Sequence, residues 1–183
     1  DLHSGSHQNK TGSDGIGDTP YVIDANNQDH YPLMHPWSPQ PVHNINTGLG
    51  YTTIQEAINA NETIDGHVIF VEAGIYYENL VINKTVSLVG ENREATIIDG
   101  NKIGTVIYIE RTDNVSISEF TIRNSLPLGL DEGSGIYLKY SSCNNTIRRN
   151  IITSNGIGIY VRYDSDNNII TENEIKNNGG GVI

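Results

Sequence analysis

Cysteine, long apolar runs and basic residues are all scarce in this sequence, and each shortage excludes a class of protein. Cys143 is the only cysteine, so the chain can form neither an internal disulfide framework nor a zinc site of several thiolates. No apolar run approaches the roughly 20 residues that a membrane-spanning helix needs. We therefore expect neither a disulfide-rich module nor a membrane span in this chain.

The shortage of basic residues and of histidine excludes two further functions. Lys and Arg total 11 against 22 Asp and Glu, which gives a formal charge of −11. No basic stripe is present to neutralise phosphates, so nucleic acid is not an expected partner. Histidine is absent from residues 68–183, so a Ser-His-Asp triad cannot be assembled there.

Repetition is what the sequence has instead. The stretch GIYLKYSSCNNTIRRN at 135–150 returns as GIYVRYDSDNNIITEN at 158–173, an offset of 23 residues with most positions identical. Apolar and polar residues alternate in short runs separated by Gly, Asn, Asp and Ser, which is typical of strands and turns. A 23-residue repeat of two or three short strands predicts one rung of a parallel β-helix, an all-β solenoid whose rungs stack at about 4.8 Å.

A looser repeat precedes this pair. Ile117 and Ile122 stand where Ile147 and Ile152 stand later, at an offset of 30 residues, so we place about seven extra residues within 125–133. Asn150 and Asn173 occupy the position that holds Phe120 one rung earlier. We expect these two asparagines to point inward at a bend and to stack as a hydrogen-bonded ladder.

The segment YTTIQEAINA at 51–60 has a helical period. Its apolar residues Ile54, Ala57 and Ile58 share one helix face, and Thr53 with Glu56 forms a capping box. We expect a short helix near 52–60 that caps the N-terminal end of a solenoid at 45–183, which we predict to be truncated or continued at its C-terminus. Residues 1–44 are rich in Asp, Asn, Gly and Pro and are predicted to be a linker.

Two parts of the chain resemble known families. The run with Gly74, Tyr76 and Glu78, followed by Leu-Val-Gly and Thr-Ile-Ile, resembles the N-terminal part of the pectin lyase-like superfamily, which includes pectin methylesterases. The later rungs, with Asn-Asn-x-Ile and GIY, resemble the NosD or CASH repeats of archaeal and bacterial surface proteins. The resemblance implies a right-handed parallel β-helix. SDGIGDTPYVIDANNQDHYPLM is similar to the end of such domains, which implies that 1–44 is the tail of a preceding module.

The resemblance implies a fold and a cellular location, and it does not imply a particular enzymatic activity. The pectin methylesterase motifs Gln-Asp-Thr-Leu and Asp-Phe-Ile-Phe-Gly are missing, and Gly74, Tyr76 and Glu78 belong to the structural opening of that fold. We therefore expect a non-catalytic structural or adhesive module of an extracellular or cell-surface protein. Its expected partners are other copies of itself or neighbouring modules, assembled into filaments or an envelope layer.

Two carbohydrate-related alternatives remain open. A polysaccharide lyase or glycoside hydrolase needs carboxylates and basic residues on one face of the solenoid. The candidates for that chemistry are Asp131, Glu132, Arg123 and Lys139. A glycan-binding module would instead use outward tyrosines in rung register, with basic residues beside them to meet acidic groups. The candidates for that binding are Tyr137, Tyr160, Lys139 and Arg162.

Oxygen ligands and glycosylation motifs complete the set of candidates. Oxygen ligands for a calcium ion are offered by Asp14, Asp18, Asp24, Asn26 and Asp29. Their spacing matches no complete EF-hand loop, and turn capping explains the same residues. No other cofactor is expected. Asn-x-Ser/Thr sequons occur at Asn9, Asn61, Asn83, Asn114 and Asn144. In an exported protein these can carry glycans on surface loops, whereas an Asn-rich chain also produces such triplets by chance.

Overall fold

The chain divides into two units, Asp1–Pro39 and Gln40–Ile183. The computed structural model describes residues 40–127 and 133–183 in full and, of residues 1–39, four short strands. In the first unit β1 (His3–Ser4) pairs antiparallel with β2 (Lys10–Thr11), and β3 (Tyr21–Asp24) with β4 (Asn27–Asp29). The role of this unit as a linker or as the tail of another module stays a prediction.

The second unit is a parallel β-helix. It opens with β5 (Val42–Asn44), β6 (Leu49–Tyr51) and the helix α1 (Ile54–Asn59). Five rungs of three strands follow within residues 68–182. They are β7 (Val68–Val71), β8 (Gly74–Tyr77), β9 (Leu80–Ile82), β10 (Ser87–Gly90), β11 (Thr96–Asp99), β12 (Ile107–Glu110), β13 (Ser116–Ser118), β14 (Thr121–Arg123), β15 (Ser134–Lys139), β16 (Thr146–Arg148), β17 (Ile151–Thr153), β18 (Ile157–Val161), β19 (Ile169–Thr171), β20 (Glu174–Lys176) and β21 (Gly180–Val182).

Each rung adds one strand to each of three sheets. The first sheet has the order β19-β16-β13-β10-β7-β5-β6, the second β20-β17-β14-β11-β8, and the third β21-β18-β15-β12-β9. The rung strands pair in parallel, whereas β5 pairs antiparallel with both β6 and β7. Because β5 lies within the predicted linker 1–44, the solenoid unit begins earlier than the expected residue 45.

The register confirms the repeats and shows where they change. Ile117 pairs with Ile147 and Ile122 with Ile152, at the expected offset of 30, and the extra residues fall between β14 and β15. The 23-residue period holds from β15 onward, since Ile136 of β15 pairs with Ile159 of β18, and Ile147 of β16 pairs with Ile170 of β19. Lower down the offset shrinks to 19, as Ser87 pairs with Val68.

The rungs meet at three corners, which we number by the sheets they join. Corner 1 joins the first sheet to the second, corner 2 joins the second to the third, and corner 3 joins the third to the first sheet of the next rung. Inward aliphatic residues from all three sheets form one continuous buried column. Burial of such side chains contributes roughly 1.5–3 kcal/mol each and drives the stacking of rungs.

Polar ladders line all three corners inside this column. At corner 1, Asn150 is fully buried and its Oδ1 accepts from the backbone N–H of Phe120 (3.1 Å). Its own N–H and Nδ2 donate to Asn173 Oδ1 at 2.9 and 3.1 Å, so the expected ladder is confirmed. Equivalent pairs stand at the other corners and were not predicted from the sequence. They are Asn145 with Asn168 at corner 3, and Asn155 with Asn178 at corner 2.

The helix α1 closes the N-terminal end of the column. Glu78, from the Gly-x-Tyr-x-Glu motif, accepts from the backbone N–H groups of Ile54 (3.0 Å) and Gln55 (2.9 Å). The Gln55 side chain accepts from Val81 N–H at 2.7 Å and donates to Val81 C=O at 3.1 Å. Gln55 thus pairs with the edge of the third sheet as a neighbouring strand would, and the motif residue Glu78 has a structural role.

Candidate functional site

Tyrosines and basic residues gather on one side of the solenoid, at the outer face of the third sheet and on corner 3. We call this set the aromatic corner, and its members are Tyr108, Arg111, Tyr137, Lys139, Tyr140, Tyr160, Arg162 and Tyr163. It arises because the third sheet repeats the same outward position on successive rungs, with Tyr108 paired to Tyr137 and Tyr137 to Tyr160. The ring centroids are 5.0 and 4.8 Å apart along this first column.

Tyr137 is buried rather than exposed, which corrects the expectation that its ring offers a free binding face. It has no solvent-accessible surface, because Tyr108 and Tyr160 pack against its ring from the rungs on either side. The period-two pattern correctly placed its side chain outside the core. It could not show that neighbouring rings cover an outward residue.

A second aromatic column lies on corner 3 itself. Tyr140 and Tyr163 stack with their centroids 5.0 Å apart and their planes inclined by 25°. The guanidinium of Arg111 continues the column one rung below, 5.1 Å from the Tyr140 centroid. All three residues have left-handed backbone conformations, with φ of 51° to 58°, which turns their side chains out of the corner.

Basic side chains stand between the two columns. Lys139 Nζ lies 5.4 Å from the Tyr137 centroid and 4.6 Å from that of Tyr140, and it donates to the Tyr108 hydroxyl at 3.0 Å. Arg162 repeats the arrangement one rung higher, 4.9 Å from the Tyr163 centroid. Such cation–π contacts are worth about 0.5–2 kcal/mol each. The predicted binding residues are therefore brought together, with much of their surface engaged with one another.

A surface depression of about 550 Å³ opens beside the second column. Its lining residues are Arg111, Tyr140, Ser141, Tyr163 and Asp164. Tyr163 keeps 46% of its surface exposed. An exposed ring can pack against a sugar, and a guanidinium and a hydroxyl can meet its acidic and neutral oxygens. Sequence reasoning missed this depression, although Tyr140 and Tyr163 recur at the same 23-residue offset as the predicted pair.

The candidate catalytic residues are not seen to converge. Asp131 and Glu132 lie outside the described residues. Arg123 is at corner 2 and Lys139 at corner 3, with the six-residue strand β15 between them. A strand of that length spans about 18 Å, so the described residues do not bring Arg123 and Lys139 together at one site.

Arg123 has a different partner in the structure. Its Nε donates to Asp99 Oδ2 at 2.8 Å, and Asn124 Nδ2 donates to the same oxygen at 2.8 Å. Burial acts to raise the pKa of Asp99, but hydrogen bonds from Asn101 N–H, Arg123 and Asn124 outweigh it and hold that pKa below its usual value. The pair ties the second rung to the third at corner 2.

The remaining candidates are placed in part. Asp14, Asp18 and Asn26 of the calcium set lie outside the described residues, and only the backbones of Asp24 and Asp29 are placed, in β3 and β4. Calcium binding therefore stays a prediction. Asn9 also lies outside the described residues, whereas the four later sequon asparagines are exposed. In the described part of the chain no helix is long and apolar enough to cross a membrane.

Comparison with known proteins agrees with the three-sheet solenoid. The family described as "Right handed beta helix region" matches residues 86–183, more than half of the chain. The chain therefore belongs to the right-handed β-helix family, and the predicted fold class is confirmed.

Individual relatives come from surface and pectin-related proteins. A "Cell surface glycoprotein" of Methanothermus fervidus is 36% identical over 116 residues, covering 51% of this chain and 19% of that protein. A "Probable pectinesterase/pectinesterase inhibitor 6" of Arabidopsis thaliana is 36% identical over 80 residues, covering 38% of this chain and 14% of that protein. The chain thus spans less than a fifth of the length of these relatives.

A solved structure supports the architecture. The pectin methylesterase from Yersinia enterocolitica superposes with a TM-score of 0.52 at 19% identity, covering 64% of this chain and 46% of that one. At that identity the likeness concerns the fold alone.

Proposed function

We propose that this chain is a structural or adhesive module of a cell-surface protein, and that its rigidity is the property on which its function depends. The similarity to a protein named a cell surface glycoprotein supports the location. The observation that carries the structural role is the set of Asn ladders, which bind successive rungs at all three corners.

The ladders support rigidity for a physical reason. Each buried asparagine joins three levels of the solenoid. The carboxamide of Asn155 accepts from Ser125 N–H and donates to Ile122 C=O on the rung below, and its backbone N–H donates to Asn178 Oδ1 on the rung above. Bending or shearing the rungs at a corner breaks several hydrogen bonds at once and leaves buried polar groups unpaired, at about 1–3 kcal/mol each. A rod of this kind transmits load or holds other modules at a fixed distance.

Location and rigidity can be tested separately. Immunogold labelling of intact producing cells should place the protein on their outer surface, and labelling only after the cells are opened would contradict the proposal. In single-molecule pulling, the protein should unfold at a force that falls when Asn145, Asn150 and Asn155 are all replaced by alanine. An unchanged force would remove the ladders from the explanation.

A second candidate function is glycan binding at the depression beside Tyr140 and Tyr163. The exposed ring of Tyr163 and the guanidinium of Arg111, which lie on either side of Tyr140 and line the same depression, favour an acidic sugar as ligand. On an array of neutral, uronate-containing and sulfated glycans, Arg111→Gln should abolish binding, whereas Arg93→Gln, far from the depression, should not. No binding to any acidic glycan would exclude this function.

The pectinesterase-like relatives keep an enzymatic alternative open, namely a polysaccharide lyase or glycoside hydrolase. It requires release of unsaturated or reducing sugars from some polysaccharide, and loss of that release in Asp131→Ala. A protein that is inert on a broad polysaccharide panel would contradict it.

A further inference from the structure

The four sequons in the described part of the chain lie along one edge of the solenoid, corner 3 and the layer beneath it. Asn83, Asn114 and Asn144 follow the ends of strands of the third sheet on three successive rungs. Asn61 lies in the connection from α1 to β7, which contacts the same corner because Lys84 Nζ donates to Ala60 C=O and Thr63 C=O, each at 2.8 Å. The described asparagines of corners 1 and 2 form no sequon.

The side chains of the sequon asparagines differ from those of the ladder asparagines. Asn61, Asn83, Asn114 and Asn144 are exposed, and their carboxamides make no hydrogen bond within the described residues. By contrast the neighbour of Asn144, Asn145, is fully buried and binds Val115 N–H at 2.7 Å. Within the described residues, the fold thus leaves the sequon carboxamides without hydrogen bonds, while the carboxamide of Asn145 binds the neighbouring rung.

The hydroxyl residue of each sequon separates the four sites into two groups. Thr63 is buried and accepts from Asn44 Nδ2 at 2.8 Å, and Thr85 donates to Asp113 C=O at 2.8 Å. Ser116 and Thr146 lie instead on the outer face of the first sheet, partly exposed, and their hydroxyls make no hydrogen bond within the described residues. Of the four sequons in the described part of the chain, those of Asn114 and Asn144 therefore present both the amide and the hydroxyl.

These two asparagines are stacked. They are 30 positions apart in the chain, and the strands that follow them pair Ser116 with Thr146, so they occupy the same place on adjacent rungs. Both have left-handed φ, 57° and 56°. Adjacent rungs are about 4.8 Å apart. A sugar ring with its substituents is wider than one rung, so glycans on both amides would compete for the same space.

We propose that corner 3 is an N-glycosylated edge of this protein, with Asn114 and Asn144 as alternative acceptors of which each molecule carries one. In the reaction Nδ2 of the asparagine attacks the anomeric carbon of a sugar held on a lipid-linked pyrophosphate donor by a separate transferase. The new C–N bond replaces the C–O bond to the pyrophosphate, which leaves with the electron pair, and Nδ2 loses one proton. Asn61 stays unmodified because Thr63 is buried. The proposal rests on the proposed surface location, since sequons are used in exported proteins.

Glycopeptide mass spectrometry of the protein from intact producing cells tests it. Trypsin places Asn114 in peptide 112–123 and Asn144 in peptide 140–148, so the occupancy of each site is measured separately. We expect both peptides to be modified, the two occupancies to sum to no more than one, and Asn61 to be unmodified. A sum clearly above one, or occupancy at Asn61, would overturn the proposal.

Two matched variants sharpen the test. Asn114→Gln and Ser116→Ala both destroy the sequon of Asn114, and Ser116→Ala leaves the asparagine itself in place. Each should raise the occupancy of Asn144 to the former sum of the two sites, with an unchanged melting temperature for Ser116→Ala. If the surface label is present and neither peptide is modified, glycosylation fails while the proposed location stands. If the label is absent, the proposed location itself fails.

Discussion

Asn173 Oδ1 accepts two hydrogen bonds from Asn150, one from its backbone N–H at 2.9 Å and one from its Nδ2 at 3.1 Å. These hydrogen bonds join two rungs at corner 1. One rung below Asn150, the equivalent position holds a buried apolar side chain, Phe120. A buried amide is stable here because each of its donors and acceptors meets a neighbour on the rung above or below. An apolar residue and an amide can therefore occupy equivalent places in one column.

Replacing Asn150 by alanine should destabilise the protein by about 2–4 kcal/mol, since it leaves the buried Phe120 N–H and Ile117 C=O without their partner and opens a cavity. Urea unfolding followed by circular dichroism measures the change. Asn83→Ala is the matched control, because that side chain is exposed, and it should stay within about 0.5 kcal/mol of the parent protein. Equal effects of the two variants would contradict a stabilising ladder.

The sequence predicted the ladder at corner 1 and missed those at corners 2 and 3. Asn150 was predicted to point inward because the apolar residue Phe120 occupies the equivalent position one rung earlier. Asn145 and Asn155 recur at Asn168 and Asn178 with the same 23-residue offset, but an asparagine next to Gly or Ser is equally typical of a solvated turn. Exact recurrence of an asparagine beside an apolar strand was the available signal.

Side-chain contacts between rungs of unequal length could not be predicted from the sequence. Arg123 pairs with Asp99, which lies 24 residues earlier in the chain. The offset between neighbouring rungs varies from 19 to 30 residues, so no fixed spacing identifies this partner. Without the register, no partner could be assigned to Arg123, and its placement with Asp131 and Glu132 rested on sequence proximity. The burial of Tyr137 depends in the same way on ring packing between rungs, which the alternation of a single strand does not encode.

The glycine of the GIY motif is required by a close approach between rungs. A Cβ on Gly135 would lie 2.7 Å from Gly158 C=O oxygen and 2.8 Å from Asn155 Nδ2, whereas a Cβ on Gly181, the same position two rungs on, would meet nothing within 4 Å. Gly135→Ala should therefore cost about 1–3 kcal/mol by overpacking. Gly181→Ala should be near neutral in the same unfolding assay. If Gly135→Ala leaves the free energy of unfolding unchanged, the two rungs can move apart at this position without cost.

Substitution of Tyr137 should reduce the stability of the protein much more than substitution of Tyr163. Tyr137→Ala removes a fully buried ring and should cost about 3–5 kcal/mol. Tyr163→Ala removes a half-exposed ring and one stacking contact, at about 1 kcal/mol. Thermal unfolding of the two variants gives the comparison. Comparable losses would mean that the two columns of the aromatic corner are equally structural, and would weaken the case for a binding depression beside Tyr163.

The pairing of Asp99 with Arg123 predicts a specific pH dependence. The pKa of Asp99 is lower in the folded protein than its ordinary value, so the folded state favours the charged carboxylate more than the unfolded state does. The resulting stabilisation is present above the ordinary Asp pKa of about 4 and is lost as the pH falls through the lower, folded pKa. Asp99→Asn should therefore be clearly less stable than the parent at pH 7, and the difference should shrink as the pH is lowered through 4 and below. Urea unfolding of the parent and of Asp99→Asn across this range checks the prediction. A difference that stays constant with pH would mean that the shape of the Asp99 side chain, and not its charge, stabilises this corner.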